Sequence, residues 1–144
     1  MKDPYNLNRF VDAQNSVYDD VRSELRAGQK TGHWMWFIFP QIQGLGKSET
    51  ARHFAISSLA EAQAYLAHPI LGPRLRQCAS LVASIEDSSA EDVFGGIDSV
   101  KLRSSMTLFV QATPDNKIFL DILEKYFGGE PDKMTLQLLQ SSRA

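Results

Sequence analysis

The residues best suited to chemistry lie between Lys30 and Arg52, in the segment KTGHWMWFIFPQIQGLGKSETAR. It holds both tryptophans of the chain, a glycine-rich turn and a helix start. Gly44 and Gly46 would let the backbone approach a ligand closely. Ser48 is placed to cap the next helix, whose free N–H groups attract anions. Lys47 adds a cation, and Arg52 follows one turn after Ser48 on the same face. Together these suggest a cradle for a phosphate-bearing small molecule. Trp34 or Trp36 would stack on a planar base, and His33 and Gln41 would supply polar contacts. Glu49 and His33 are the candidate acid/base groups. Lys101, Ser104 and Ser105 complete the set. A cation in a first helical turn and serines in a helix interior are the local conflicts found at functional sites. The same residues also read as a tight turn, a capped helix and plain core.

Gly46-Lys47-Ser48 has the ending of a phosphate-binding P-loop. The motif needs a glycine at position 41, where Gln41 stands, and a preceding strand that the chain does not offer. An ATPase or GTPase is therefore excluded.

The elements that must position these residues read as helices throughout. Trp34 to Phe39 is apolar without alternation; Thr31 would cap it and Pro40 would end it. Before it, a helix starts at Asn6 or Asn8 and runs to Gly28, with Phe10, Gln14, Val17, Val21 and Leu25 on one face. After it come a helix from about Glu49 through Ile56 and one opened by a Ser58–Glu61 capping box. A Gly72-Pro73 start follows, carrying the stripe Leu71, Leu75, Cys78, Val82 and Ile85. A Ser88–Glu91 capping box begins a short helix ended by Gly95-Gly96. Asp98 caps the next, with core positions Leu102, Met106, Phe109 and Val110. Thr113-Pro114 opens another, which Gly128-Gly129 ends, and Asp132 caps a last one with Met134, Leu138 and Leu139. The fold class is all-α: one domain over residues 1–144, of seven to eight short, irregularly crossing helices, with 1–5 and 141–144 frayed.

Composition narrows the function classes. At 144 residues, 43% hydrophobic and 22% charged, the chain can bury a core of its own. A net charge of -2 provides no basic field for nucleic acid. One cysteine, Cys78, excludes an internal disulfide and a cysteine-based zinc site. His33, His53 and His68 lack ligand spacing, so no metal and no cofactor is expected. With no signal peptide and no long apolar span, the expectation is a cytoplasmic protein that does not enter a membrane.

Four blocks, HWMWFIFPQIQGLGKS, EAQAYLAHPILGPRLRQC, KLRSSMTLF and FGGEPDKMTLQLL, resemble a bacterial family of uncharacterised proteins that often carries the label calpastatin. The resemblance covers nearly the whole chain and implies a mainly helical single domain without an established activity. A calpain inhibitor is a long disordered chain rich in Pro, Lys and Ser, whereas this chain has repeated apolar stripes and capped helices. Over shorter pieces the chain is similar to the NADAR family, through Ser48-Glu49 at a helix start and SSMTLF before an amphipathic helix. Thr50 stands where that motif has a histidine. This likeness implies ADP-ribose-type nucleotides and N-glycosidic bond cleavage.

Two functional expectations follow. The first is a site for a phosphate-bearing nucleotide or ADP-ribose-like metabolite where the glycine turn meets the aromatic run. The second is a protein-interaction or regulatory module, monomer or homodimer, using the aromatics and the Leu71–Ile85 stripe.

Overall fold

The computed structural model describes residues 3–143, and side chains as far as 141. The helices among them are α1 (Asn8–Asn15), α2 (Tyr18–Ala27), α3 (Met35–Ile38), α4 (Glu49–His53), α5 (Leu59–Ala67), α6 (Leu71–Ser84), α7 (Ala90–Ala112), α8 (Lys117–Phe127) and α9 (Lys133–Arg143). The all-α expectation holds. Nine helices are found among the described residues where seven to eight were expected: the first predicted helix breaks at Ser16–Val17 into α1 and α2, and the two predicted on either side of Gly95-Gly96 form the kinked α7. The frayed ends expected at residues 1, 2 and 144 lie outside the described residues. At residue 3, the Asp3 carboxylate accepts the N–H groups of Leu7 and Asn8 at the start of α1. The described residues form no strand, only an isolated parallel bridge between Ile42 and Ile56. None of their helices is long and apolar enough to cross a membrane.

One core organises the chain, and α7 runs through it. Every residue from Ser104 to Phe109 is buried. The helix packs against α5, α8 and α9, while α6 packs against α2, α5 and α8. A helix surrounded in this way buries its polar positions as well as its stripe. Ser104 and Thr107 satisfy their hydroxyls on carbonyls one turn back, those of Val100 and Arg103. The stripe Leu71, Leu75, Cys78 and Val82 lies wholly inside. Ile85, the last of the expected stripe, is half-buried. Burial pushes the Cys78 thiol up to about 12, far from a reactive thiolate.

Several helix starts differ from the expected ones. Thr31 caps nothing: its N–H and that of Gly32 are taken by the Glu24 carboxylate, so the chain stays non-helical until Met35. The capping box of α7 is Ser89–Asp92, one residue later than Ser88–Glu91. The run Ser88-Ser89-Ala90-Glu91-Asp92 admits both registers, and the observed one turns Ala90, Val93 and Phe94 inward. Ser58 accepts the Glu61 N–H as expected, but the Glu61 carboxylate turns to Ser57 and Arg9. Asp98 lies inside α7, not at a cap: the helix kinks at Gly95 (φ 82°, ψ 166°) and resumes before Asp98. Met134 is exposed, while Leu139 carries the contact of α9 with the core.

Candidate functional site

The structure divides the predicted site between two separate clefts. The first contains Gly44, Gly46, Lys47 and Arg52, with Gln43 and Ala55, around about 380 Å³. Arg52 also borders an adjoining shallow cleft beside Arg9 and His53. The second contains His33, Trp36 and Lys101, with Lys30, Met35, Phe94, Gly95, Gly96, Ile97 and Asp98, around about 490 Å³. No residue lines both.

Around the glycine turn, the local reason for each residue is packing. A side-chain carbon on Gly44 (φ 108°) would lie 3.2 Å from Leu138, so the packing of α9 accounts for glycine there. A side-chain carbon on Gly46 would lie 2.4 Å from Ala51 Cβ. The Ser48 hydroxyl accepts the Ala51 N–H and so caps α4, which has only 5 residues. Lys47, Glu49 and Arg52 are exposed. Gln41 joins the bridge instead, its carbonyl accepting the Ile56 N–H.

Ser104 and Ser105 border neither cleft. Both are buried in the middle of α7, where packing favours small residues. Trp34 is also removed from solvent, and its indole N–H donates to Glu24 Oε1 at 3.0 Å. Of the two tryptophans, Trp36 is the one that meets a cleft.

The second cleft is built from the loop after α2 and from the kinked part of α7. Two contacts fix that loop. The Lys30 N–H donates to the Val93 carbonyl at 2.8 Å, tying it to the first turn of α7. The Glu24 carboxylate accepts from Thr31, Gly32 and Trp34. Burial alone would raise the Glu24 carboxyl, but these hydrogen bonds outweigh it and hold the group below its ordinary value of 4.5. A lowered folded-state value means stability that is present above about pH 4.5 and is lost as pH falls through the folded value. Glu24→Gln, which keeps an acceptor oxygen without the charge, is therefore expected to melt below wild type at pH 6. The gap should narrow as pH falls below 4.5 and through the folded value. A constant gap across that range would show that ionised Glu24 does not hold the loop.

Within the cleft three charged groups meet. Lys30 Nζ lies 2.8 Å from Asp98 Oδ2, and Lys101 Nζ lies 3.5 Å from Asp98 Oδ1. Each ammonium also sits against an indole, Lys30 at 5.0 Å from the Trp34 centroid and Lys101 at 4.7 Å from that of Trp36. Lys30 additionally donates to the Gly32 carbonyl. The walls are otherwise apolar, from Met35, Phe94 and Ile97, and His33 stands exposed at the edge. Beside Gly95 and Gly96 no heavy atom comes near the place of a side chain, so the kink leaves that wall open. Among the described residues no three His, Cys, Asp or Glu side chains converge as a metal-binding set.

Lys30, Asp98, Phe94 and the Gly95–Gly96 wall were not among the expected site residues. The spacing of Asp98 and Lys101 (i, i+3) was a local signal for one ion pair. Nothing local signals Lys30, because its partner lies 68 residues further along the chain (98 − 30).

Residues 4–139 match the family model described as Protein of unknown function (DUF1810). The crystal structure of the conserved hypothetical protein Rv1873 from Mycobacterium tuberculosis is similar, at 55% sequence identity and a TM-score of 0.95. That match covers 96% of this chain and 99% of the other. No curated protein matches.

Proposed function

We propose, from the premise that the chain belongs to the DUF1810 family of proteins of unknown function, that it binds a small anionic metabolite in the cleft between the α2–α3 loop and the kink of α7. One observation carries this reading. Two lysine ammoniums share a single carboxylate against two indole rings, at the edge of an otherwise apolar cleft of about 490 Å³. Apolar walls with a few convergent charged groups are the usual makeup of a ligand site. An acidic group on the ligand would meet Lys101, and its body would lie against Met35, Trp36 and Phe94.

The phosphate-bearing nucleotide expected from sequence, ADP-ribose-like compounds included, is one member of this class. The glycine turn has less support as its cradle, because Leu138 and Ala51 stand where side chains on Gly44 and Gly46 would lie. N-glycosidic cleavage has weaker support than binding. Glu49 is exposed on α4 and borders neither cleft, and the cleft carboxylate, Asp98, is paired with two cations. The interaction-module reading has less support: of the Leu71–Ile85 stripe, Leu71, Leu75, Cys78 and Val82 are buried, as is Trp34, while Ile85 and Trp36 are half-buried.

Thermal shift against AMP, ADP-ribose, NAD, inorganic phosphate and aromatic carboxylates tests the reading. A ligand at 100 times its dissociation constant adds about 2.7 kcal/mol, which is a rise of several degrees at this chain length. Lys101→Met is expected to weaken a positive ligand at least tenfold, and Arg52→Ala to leave it unchanged. The reverse pattern, with loss in Arg52→Ala and full binding in Lys101→Met, would move the site to the glycine-turn cleft.

A further inference from the structure

We infer that this cleft selects ligands with a single negative charge on an apolar body, and that Asp98 sets the limit. The inference rests on the small-molecule reading of the cleft and narrows it, ranking singly charged ligands above phosphate monoesters and ADP-ribose.

The two lysines are not equivalent. The Lys30 side chain is 7% exposed, and its ammonium is committed to Asp98, the Gly32 carbonyl and the Trp34 ring. An ammonium has three donors, so little remains for a ligand. The Lys101 side chain is 21% exposed, and its 3.5 Å separation from Asp98 is longer than a good N–H···O hydrogen bond. Its donors are free to take an incoming oxygen. Lys101 is the receiving cation, and Lys30 holds Asp98 in place.

Charge then decides what fits. Lys30, Lys101 and Asp98 sum to +1. One ligand charge completes a neutral cluster. A second would lie beside the Asp98 carboxylate, which cannot turn away because Lys30 anchors it at 2.8 Å. Like charges this close repel strongly where water is partly excluded. The apolar walls favour the other end of such a ligand. Trp36 contributes an apolar surface, but the ring face under Lys101 is already taken. A flat aromatic body against Met35, Phe94 and the free part of Trp36 suits this geometry, with the open Gly95–Gly96 wall giving it room.

Three probes with one ring system test this at pH 8: 2-naphthoate (one charge), 2-naphthyl phosphate (mostly two) and naphthalene-2-methanol (none). Titration calorimetry of the full chain is expected to show wild type preferring 2-naphthoate at least tenfold over each of the others. In Asp98→Asn the phosphate ester should gain at least tenfold over wild type. In Lys101→Met the advantage of 2-naphthoate over the alcohol should vanish. If wild type binds the phosphate ester as tightly as 2-naphthoate, with Lys101→Met weakening both, the single-charge rule is overturned while the cleft reading stands. If no probe binds wild type, both are overturned for aromatic anions. Circular dichroism checks the fold of Asp98→Asn. Should that variant fail to fold, the order of the three probes on wild type decides alone.

Discussion

Glu61→Ala is expected to cost about 3–5 kcal/mol of stability, the loss typical when one partner of a buried ion pair is removed. The Glu61 side chain is 3% exposed, and its carboxylate takes three hydrogen bonds: from Arg9 at 2.9 Å, the Ser57 N–H at 2.9 Å and the Ser57 hydroxyl at 2.7 Å. Arg9, 10% exposed, donates in addition to the carbonyls of Tyr5, Asn6, His53 and Ala55. One guanidinium and one carboxylate thus join the start of α1 to the chain between α4 and α5. Removing Glu61 leaves the Arg9 charge and both Ser57 donors without their acceptor. For a domain of this length the melting temperature should fall on the order of 10 °C. Glu61→Gln, which keeps the shape and an acceptor, should fall less. A melting temperature within a degree or two of wild type in Glu61→Ala would show that this node does not hold the fold.

Gly72→Ala carries the second large effect, and its sign is the opposite of what helix propensity alone predicts. Gly72 lies in the first turn of α6, and alanine is favoured over glycine in a helix interior by about 1 kcal/mol. Here the added carbon would lie 2.1 Å from the Leu66 carbonyl oxygen and 3.0 Å from its carbon. Both are backbone atoms in the last turn of α5, so no side chain can swing aside. The two helices would have to separate, at the cost of the packing between α5 and α6 and of the contact of Tyr65 with Phe109 of α7. A loss of roughly 3 kcal/mol is expected, at the upper end for overpacking. Urea unfolding of the pair measures it. A variant as stable as wild type would mean that α5 and α6 do not approach as closely as described.

Both effects show where local reading stops. The Ser58–Glu61 pattern announced a helix start, and Ser58 does accept the Glu61 N–H. The carboxylate itself serves Arg9, 52 residues away (61 − 9), and no window of sequence contains both. Gly72 ahead of Pro73 was legible as a helix opening, but the Leu66 carbonyl that demands glycine there was not. The serines of α7 repeat the lesson. Ser104 and Ser105 conflict with propensity because neighbours close around the helix; the Ser104 hydroxyl is satisfied one turn back, while that of Ser105 is buried without a hydrogen-bond partner among the described residues.

The sequence by itself determined the all-α class, the caps at Ser48, Ser58 and Asp132, the helix ends at Gly28 and Gly128, and most of the core. These depend on residues within a turn or two of one another, where spacing and capping chemistry act directly. It also placed His33, Trp36 and Lys101 among the residues of interest. Only the tertiary structure decided that those three share one cleft while the glycine turn and Arg52 belong to another. The physical reason is the kink at Gly95. It brings Asp98 and Lys101 of α7 over the loop that carries Lys30, and that meeting of two distant segments is recorded in no local pattern.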